Sequence, residues 1–213
     1  MTEQPHDQFF GKGAGRMDAI AKGPFAPIYP VIARQAIQTS GIREGRCVDI
    51  GCGPGHLALA LGAASSLEID ALDASGDMLA IAEQNIREAG LTDRVHPVPG
   101  DVHDLPYDDG SIDLVVSRGS LFFWDDRVRA FSEIYRVLRP GGRTFVGGGF
   151  GTSALKAEIT AKMREIDPEW EVKAAERLSR RNLDAVRQDL EKAGIAACEV
   201  REDEAGFWII MRK

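Results

Sequence analysis

From Arg46 onward the chain alternates short apolar runs with glycine-bearing turns and amphipathic stretches. Cys47-Val48-Asp49-Ile50 reads as a strand, followed by glycines and a helix through Leu57 to Leu61. Leu67 to Leu72 is a second strand ending at Asp73. Met78, Leu79, Ile81, Ala82 and Ile86 then recur at helical spacing until Gly90. Val95 to Val98 is a third strand. Ile112-Asp113-Leu114-Val115-Val116 is a fourth, apolar enough to be buried on both faces. A helix from about Arg127 to Leu138 stops at Pro140-Gly141-Gly142, and Thr144-Phe145-Val146 is a fifth strand. Strands alternating with helices predict an α/β fold whose mostly parallel sheet carries helices on both faces.

The two ends depart from this rhythm. Residues 1–23 are polar and glycine-dotted, with no sustained period. Pro24, Pro27 and Pro30 punctuate Phe25-Ala26-Pro27-Ile28-Tyr29, and a helical pattern then runs through Val31, Ile32, Ala33, Ala36 and Ile37 to a stop at Gly41. Residues 1–44 are therefore expected to be a helical cap or lid on a core at 45–150. Residues 153–194 are helical and charge-laced, broken at Pro168, and are expected to form a cover. Within 195–213, Ala196 to Arg201 and Phe207 to Met211 are strands joined by a link too short for a crossover helix, so they form an antiparallel hairpin. The 213 residues fit a single domain.

Composition narrows the class. Apolar residues at 44% and charged residues at 28% describe a globular chain, and no run approaches the length of a membrane span. The first residues show neither a basic nor an apolar leader region, so no secretory signal is expected. Cys47, Cys52 and Cys198 cannot form a disulfide framework and suit a reducing cytoplasm. The net charge of −7 is unevenly spread: between Gly45 and Val115 there are 3 Lys/Arg against 13 Asp/Glu. This acidic middle is either a solvated face or a fit to a ligand of positive charge, and it argues against nucleic acid there.

The candidate chemistry begins at Val48-Asp49-Ile50-Gly51-Cys52-Gly53-Pro54-Gly55. A strand enters, glycines turn and a helix begins, which lets backbone approach a ligand. A dinucleotide fingerprint would want glycine at the position of His56; the pattern here is instead D-x-G-x-G-x-G. Asp73, at the end of the second strand, stands where a carboxylate accepts from a ribose diol, although Ser75 or Asp77 also caps the next helix. Gly100-Asp101-Val102-His103-Asp104 follows the third strand, where an Asp accepts from an exocyclic amine and Val102 packs on a purine face.

These three pieces together resemble the class I S-adenosylmethionine-dependent methyltransferases, and within them the group that includes the ubiquinone/menaquinone C-methyltransferases. Asp113-Leu114-Val115-Val116-Ser117 and Glu133 to Gly142, read as Glu-Ile-Tyr-Arg-Val-Leu-Arg-Pro-Gly-Gly, extend the likeness over about half the chain. The resemblance implies a Rossmann-like seven-stranded sheet with an antiparallel C-terminal hairpin, and S-adenosylmethionine as cofactor. It implies that Gly51, Cys52, Gly53 and Gly55 lie along the methionine part, supported by Asp49. Asp73 and Ala74 would face the ribose. Gly100 and Asp101 would face the adenine amine, Met78 and Val102 the adenine faces, and the backbone of Ser117 the amino group.

Methyl transfer requires alignment and exclusion of water, and needs a general base only if the acceptor must first lose a proton, so no catalytic residue is forced. Ser117-Arg118-Gly119-Ser120 carries neither the Asn/Asp-Pro-Pro-aromatic motif of amino-methylating enzymes nor a Pro-Cys pair. No metal site is expected. Phe25, Tyr29, Phe122 and Trp124 favour a small apolar or planar acceptor, with the Tyr29 hydroxyl near the methyl group. His103 is placed to reach cofactor or acceptor. Arg118 pairs either with an acidic substrate or with Asp104 or Asp125. An RNA or protein acceptor, or a non-catalytic cofactor-binding role, stands as the alternative.

Overall fold

Apolar residues that alternate along short strands give the protein two buried surfaces, one on each side of a single sheet. The computed structural model describes residues 13–213; Gly11 and the rest of residues 1–12 lie outside the described residues. The elements are α1 (Gly13–Lys22), α2 (Ile28–Ser40), β1 (Glu44–Ile50), α3 (His56–Ala64), β2 (Ser66–Asp73), α4 (Gly76–Glu88), β3 (Val95–Pro99) and β4 (Ile112–Arg118). A short 3-10 turn (Leu121–Phe123) leads to α5 (Arg127–Val137), β5 (Leu138–Gly149), α6 (Ser153–Ile166), α7 (Trp170–Arg177), α8 (Arg180–Lys192), β6 (Cys198–Asp203) and β7 (Gly206–Met211).

The seven strands lie in the order β3-β2-β1-β4-β5-β7-β6. Pairing is parallel from β3 through β5, and β7 runs antiparallel to both β5 and β6. Period-two alternation sends Cys47, Leu67, Ile69, Leu114, Val116 and Phe145 to one core, under α2, α3 and α6. Val48, Ile50, Val115, Val146, Phe207 and Ile209 face the other, under α5 and α8. The expected seven-stranded Rossmann-like sheet with its C-terminal hairpin is thus the observed one.

Three boundaries differ from the sequence reading. Residues 13–22 are helical, where no period was visible: Gly13 and Gly15 hide the pattern, and only Ala14 and Ala21 are buried. β5 runs 12 residues, through Pro140-Gly141-Gly142, because Leu138 already pairs with Ile112 across a register shift. The stretch 153–194 is not one cover. Ile159 and Met163 of α6 pack on one face of the sheet and Leu183, Val186 and Leu190 of α8 on the other, so α7, with no buried residue, bridges between them.

Close packing explains the glycines of β5. A Cβ on Gly147 would meet the Phe207 carbonyl of β7, one on Gly148 the Phe122 ring and one on Gly149 the Trp208 indole. The run thus accommodates a neighbouring strand and two aromatic rings. α2 is no detachable flap either, since Ile28, Ile32, Ala33 and Ala36 are fully buried.

Candidate functional site

The glycine turn leaves β1 at the C-terminal edge of the sheet, where open α/β sheets bind their ligands. Gly51, Gly53 and Gly55 all adopt positive φ, at 65°, 53° and 85°. At Gly51 the requirement is double, because a Cβ there would also run into the Ser120 side chain. The Ser120 hydroxyl donates to the Ile50 carbonyl at 3.1 Å and lies 2.6 Å from the Ser117 hydroxyl, tying the ends of β1 and β4 together.

Asp73 joins the next two pieces. One carboxylate oxygen accepts from the Gly53 N–H at 2.8 Å and the other from the Ser75 N–H at 2.9 Å, while the Gly100 N–H donates to the Asp73 carbonyl at 3.1 Å. Capping of α4 falls to the Ser75 hydroxyl. Burial raises the Asp73 pKa, opposed by those backbone donors. Gly53, Asp73, Ser75 and Gly100 are therefore one hydrogen-bonded rim, with Gly51 and Ala74 adjoining it in the chain and Met78 and Val102 buried beside it. The Cys52 N–H donates to the Leu72 carbonyl, and its thiol is buried.

Asp49 lies beneath this rim, 1% exposed, with one oxygen accepting from the Ala58 N–H at the start of α3. Among the described residues no cationic side chain pairs with it. Burial, with the Asp73 charge nearby, pushes its pKa up to about 8. A buried acid without a cation is suited to receive one, and the ammonium of S-adenosylmethionine fits that demand.

Asp101 is mostly exposed, and the same oxygen accepts from the His103 N–H at 2.9 Å and contacts His103 Nδ1 at 2.6 Å. His103 Nε2 accepts from the Asp126 N–H at 3.3 Å, so both ring nitrogens are engaged between two loops and neither is free for an acceptor. Asp126 caps α5. Trp124 packs edge-on against Phe131 and Phe122 against Phe207, both in the core beneath α5 and α8. Both rings are partly buried there. Glu133 accepts from the Leu105 N–H and pairs with Arg136, which also holds the Leu105 and Tyr107 carbonyls.

Over the rim lies a different cluster. Phe25, Phe150 and Trp170 meet pairwise at centroid separations of 5.9 to 6.0 Å. The Arg118 guanidinium sits over Phe25 at 4.8 Å and Phe150 at 5.4 Å, and its Nε donates to the Gly149 carbonyl. Neither Asp104 nor Asp125 pairs with it. Tyr29 stacks at 5.4 Å on His56 and feels the charges of Arg118 and Asp49. Asp18 of α1 clamps the roof to the loop below, through His56 at 2.9 Å and Asn85, whose amide also donates to the Pro54 carbonyl. Asp18, Asn85 and Trp170 carry no sequence signal, because their partners are far away in the chain.

A glycine turn after the first strand, an acid at the end of the second and one antiparallel strand at the sheet's far side define a class I methyltransferase fold. A methyltransferase domain model matches residues 48–146. A crystal structure of a Methanococcus maripaludis protein, proposed to be an S-adenosyl-L-methionine-dependent methyltransferase, superposes with a TM-score of 0.94 at 46% identity, covering 100% of this chain and 97% of that one. The chloroplastic 2-phytyl-1,4-beta-naphthoquinone methyltransferase of Arabidopsis thaliana is 36% identical over 52% of this chain and 44% of its own length. The ubiquinone/menaquinone biosynthesis C-methyltransferase of Geotalea daltonii is 32% identical over 48% of this chain and 45% of its own. The chain spans about half the length of these curated relatives. It belongs to the S-adenosylmethionine-dependent methyltransferase family, whose cofactor is S-adenosylmethionine.

Proposed function

We propose that the protein transfers a methyl group to a small, largely planar acceptor. The observation that carries this reading is the convergence of the glycine turn, Asp49 and Asp73 beneath the roof of Phe25, Phe150 and Trp170. S-adenosylmethionine supplies an electrophilic methyl on a sulfonium with a neutral thioether leaving group. The residues of the chain hold and align: Gly51, Gly53 and Gly55 approach closely with bare backbone, Asp49 receives the ammonium, and Asp73 accepts from the ribose. Met78 and Val102 supply apolar faces for the adenine, and Asp101 keeps an exposed oxygen within reach of its amine. The aromatic roof excludes water from the reacting atoms, and Tyr29 orients the acceptor.

The naphthoquinone and ubiquinone/menaquinone relatives support a planar acceptor. No helix among the described residues is long and apolar enough to cross a membrane. The test is to incubate the protein with S-adenosylmethionine labelled in its methyl group and separated small-molecule, RNA and protein fractions of a cell extract. Label should enter the small-molecule fraction. Label confined to RNA or protein, or no release of S-adenosylhomocysteine from any fraction, overturns the proposal.

A further inference from the structure

Two guanidinium groups above the rim have no anionic partner. Arg118 ends β4 and Arg177 ends α7, and among the described residues neither forms an ion pair, although the chain carries 33 Asp+Glu. Arg46 in β1 pairs with Asp70, and Arg127 at the start of α5 pairs with Asp189. Arg94, which bonds only to the Ser65 and Gly62 carbonyls, also forms no ion pair among the described residues, so what sets Arg118 and Arg177 apart is a different property. They are the two described arginines whose pKa is lowered, each chiefly by burial, and Arg177 adds its repulsion to Arg118. A position in the last turn accounts for a cation at Arg177, since it complements the helix dipole. It does not account for a guanidinium placed over the Phe123 ring at 4.9 Å.

Desolvating a charge without a partner is unfavourable, and stacking on aromatic faces returns only part of the cost. Two such charges that also repel one another describe a site prepared for a negative ligand. The stacking geometry says which part of each group is left over. Phe25 and Phe150 both lie against Arg118 and Gly149 accepts from its Nε, which leaves its terminal N–H groups without a hydrogen bond among the described residues. Arg177 makes no side-chain hydrogen bond among the described residues. Planar N–H edges beside aromatic rings match a carboxylate on a planar acceptor, which they grip with paired hydrogen bonds. Arg118 also directly follows Ser117, so whatever it holds lies next to the cofactor rim.

We propose that Arg118 and Arg177 bind the carboxylate of the methyl acceptor, so that the substrate class is a small planar carboxylic acid. This rests on the methyltransferase reading above and deepens it.

The test uses the full chain saturated with S-adenosylhomocysteine and follows the binding of benzoate and 2-naphthoate by calorimetry, beside the matching neutral amides and phenyl phosphate. A carboxylate should bind at least tenfold more tightly than its amide and more tightly than phenyl phosphate. Arg118→Gln and Arg177→Gln should each remove at least tenfold of that affinity while S-adenosylhomocysteine still binds. Equal affinity for acid and amide, no binding of either acid, tighter binding of phenyl phosphate, or carboxylate affinity unchanged in both variants overturns the proposal. Should Arg118→Gln fail to fold, Arg177→Gln, at a half-buried helix end, decides alone. Failure of S-adenosylhomocysteine itself to bind the wild-type protein overturns the methyltransferase reading, whereas its binding without carboxylate preference overturns only the acceptor assignment.

Discussion

Asp49 couples the site to pH. Its folded pKa of about 8 lies above the ordinary 3.8, so the empty protein is most stable where the acid is protonated in both folded and unfolded states. Stability falls as pH climbs from 3.8 toward 8, because only the unfolded chain releases the proton there. Asp49→Asn keeps an acceptor for the Ala58 N–H, and its thermal midpoint should exceed that of the wild type by a margin that widens up to about pH 8. An ammonium beside Asp49 would reverse its preference. Binding of S-adenosylhomocysteine at pH 7 should therefore release about one proton, seen as a calorimetric heat that changes with the buffer and no longer does so in Asp49→Asn. Asp73→Ala should weaken the same binding by about 2–3 kcal/mol, since it removes a ribose partner and loosens the Gly53 turn. Unaltered affinity would show that Asp73 only braces the loop. Asp49 and Asp73 were legible because each stands at a set distance from a glycine turn. Ser120 and Asn85 were not, because their partners lie 70 and 67 residues away. Trp124 packs on Phe131, and in the sequence an aromatic after a strand reads alike whether it faces a pocket or such a neighbour.

At the scale of elements, we propose that α1 and the Pro24–Pro27 strap act as a hinged roof on a fixed wall, since α2 is buried in the core. Asp18 is its latch, bridging to His56 and Asn85 and on to Lys22. Deleting residues 1–27 should leave a folded protein that binds S-adenosylhomocysteine and loses most methyl transfer. Tyr29→Phe should keep cofactor affinity and lower turnover about tenfold, roughly 1.4 kcal/mol. Circular dichroism and single-turnover rates on the two variants separate this from a structural strap, for which the deletion unfolds the domain and Tyr29→Phe stays active. The hairpin was legible because a short link permits only an antiparallel pairing, and Asp203 completes that link by accepting from Ala205 and Gly206. α1 was not, because glycine-rich polar sequence gives no period and its helix is held by contacts with α4.

For the whole molecule, only Asp49, Asp73 and Asp101 of the acidic middle belong to the rim, while Asp70, Glu83, Asp109 and Asp113 pair with arginines elsewhere. S-adenosylhomocysteine at a hundredfold excess over its dissociation constant should stabilise the fold by about 2.7 kcal/mol, whereas NAD and NADP should not shift the melting temperature. A shift with NAD alone would mean that the turn around Gly53 accepts a pyrophosphate after all. The strand order has a separate consequence, for biosynthesis. β7 lies between β5 and β6 although it is made after both, and its six residues are all buried. While the ribosome is still adding residues 150 to 205, the nascent β5 has no neighbour on its outer side and presents an unprotected edge to other chains. Closure must wait until Met211 has emerged. Translation pausing within that interval should therefore raise the yield of aggregated chains, and a chaperone that shields strand edges should lower it.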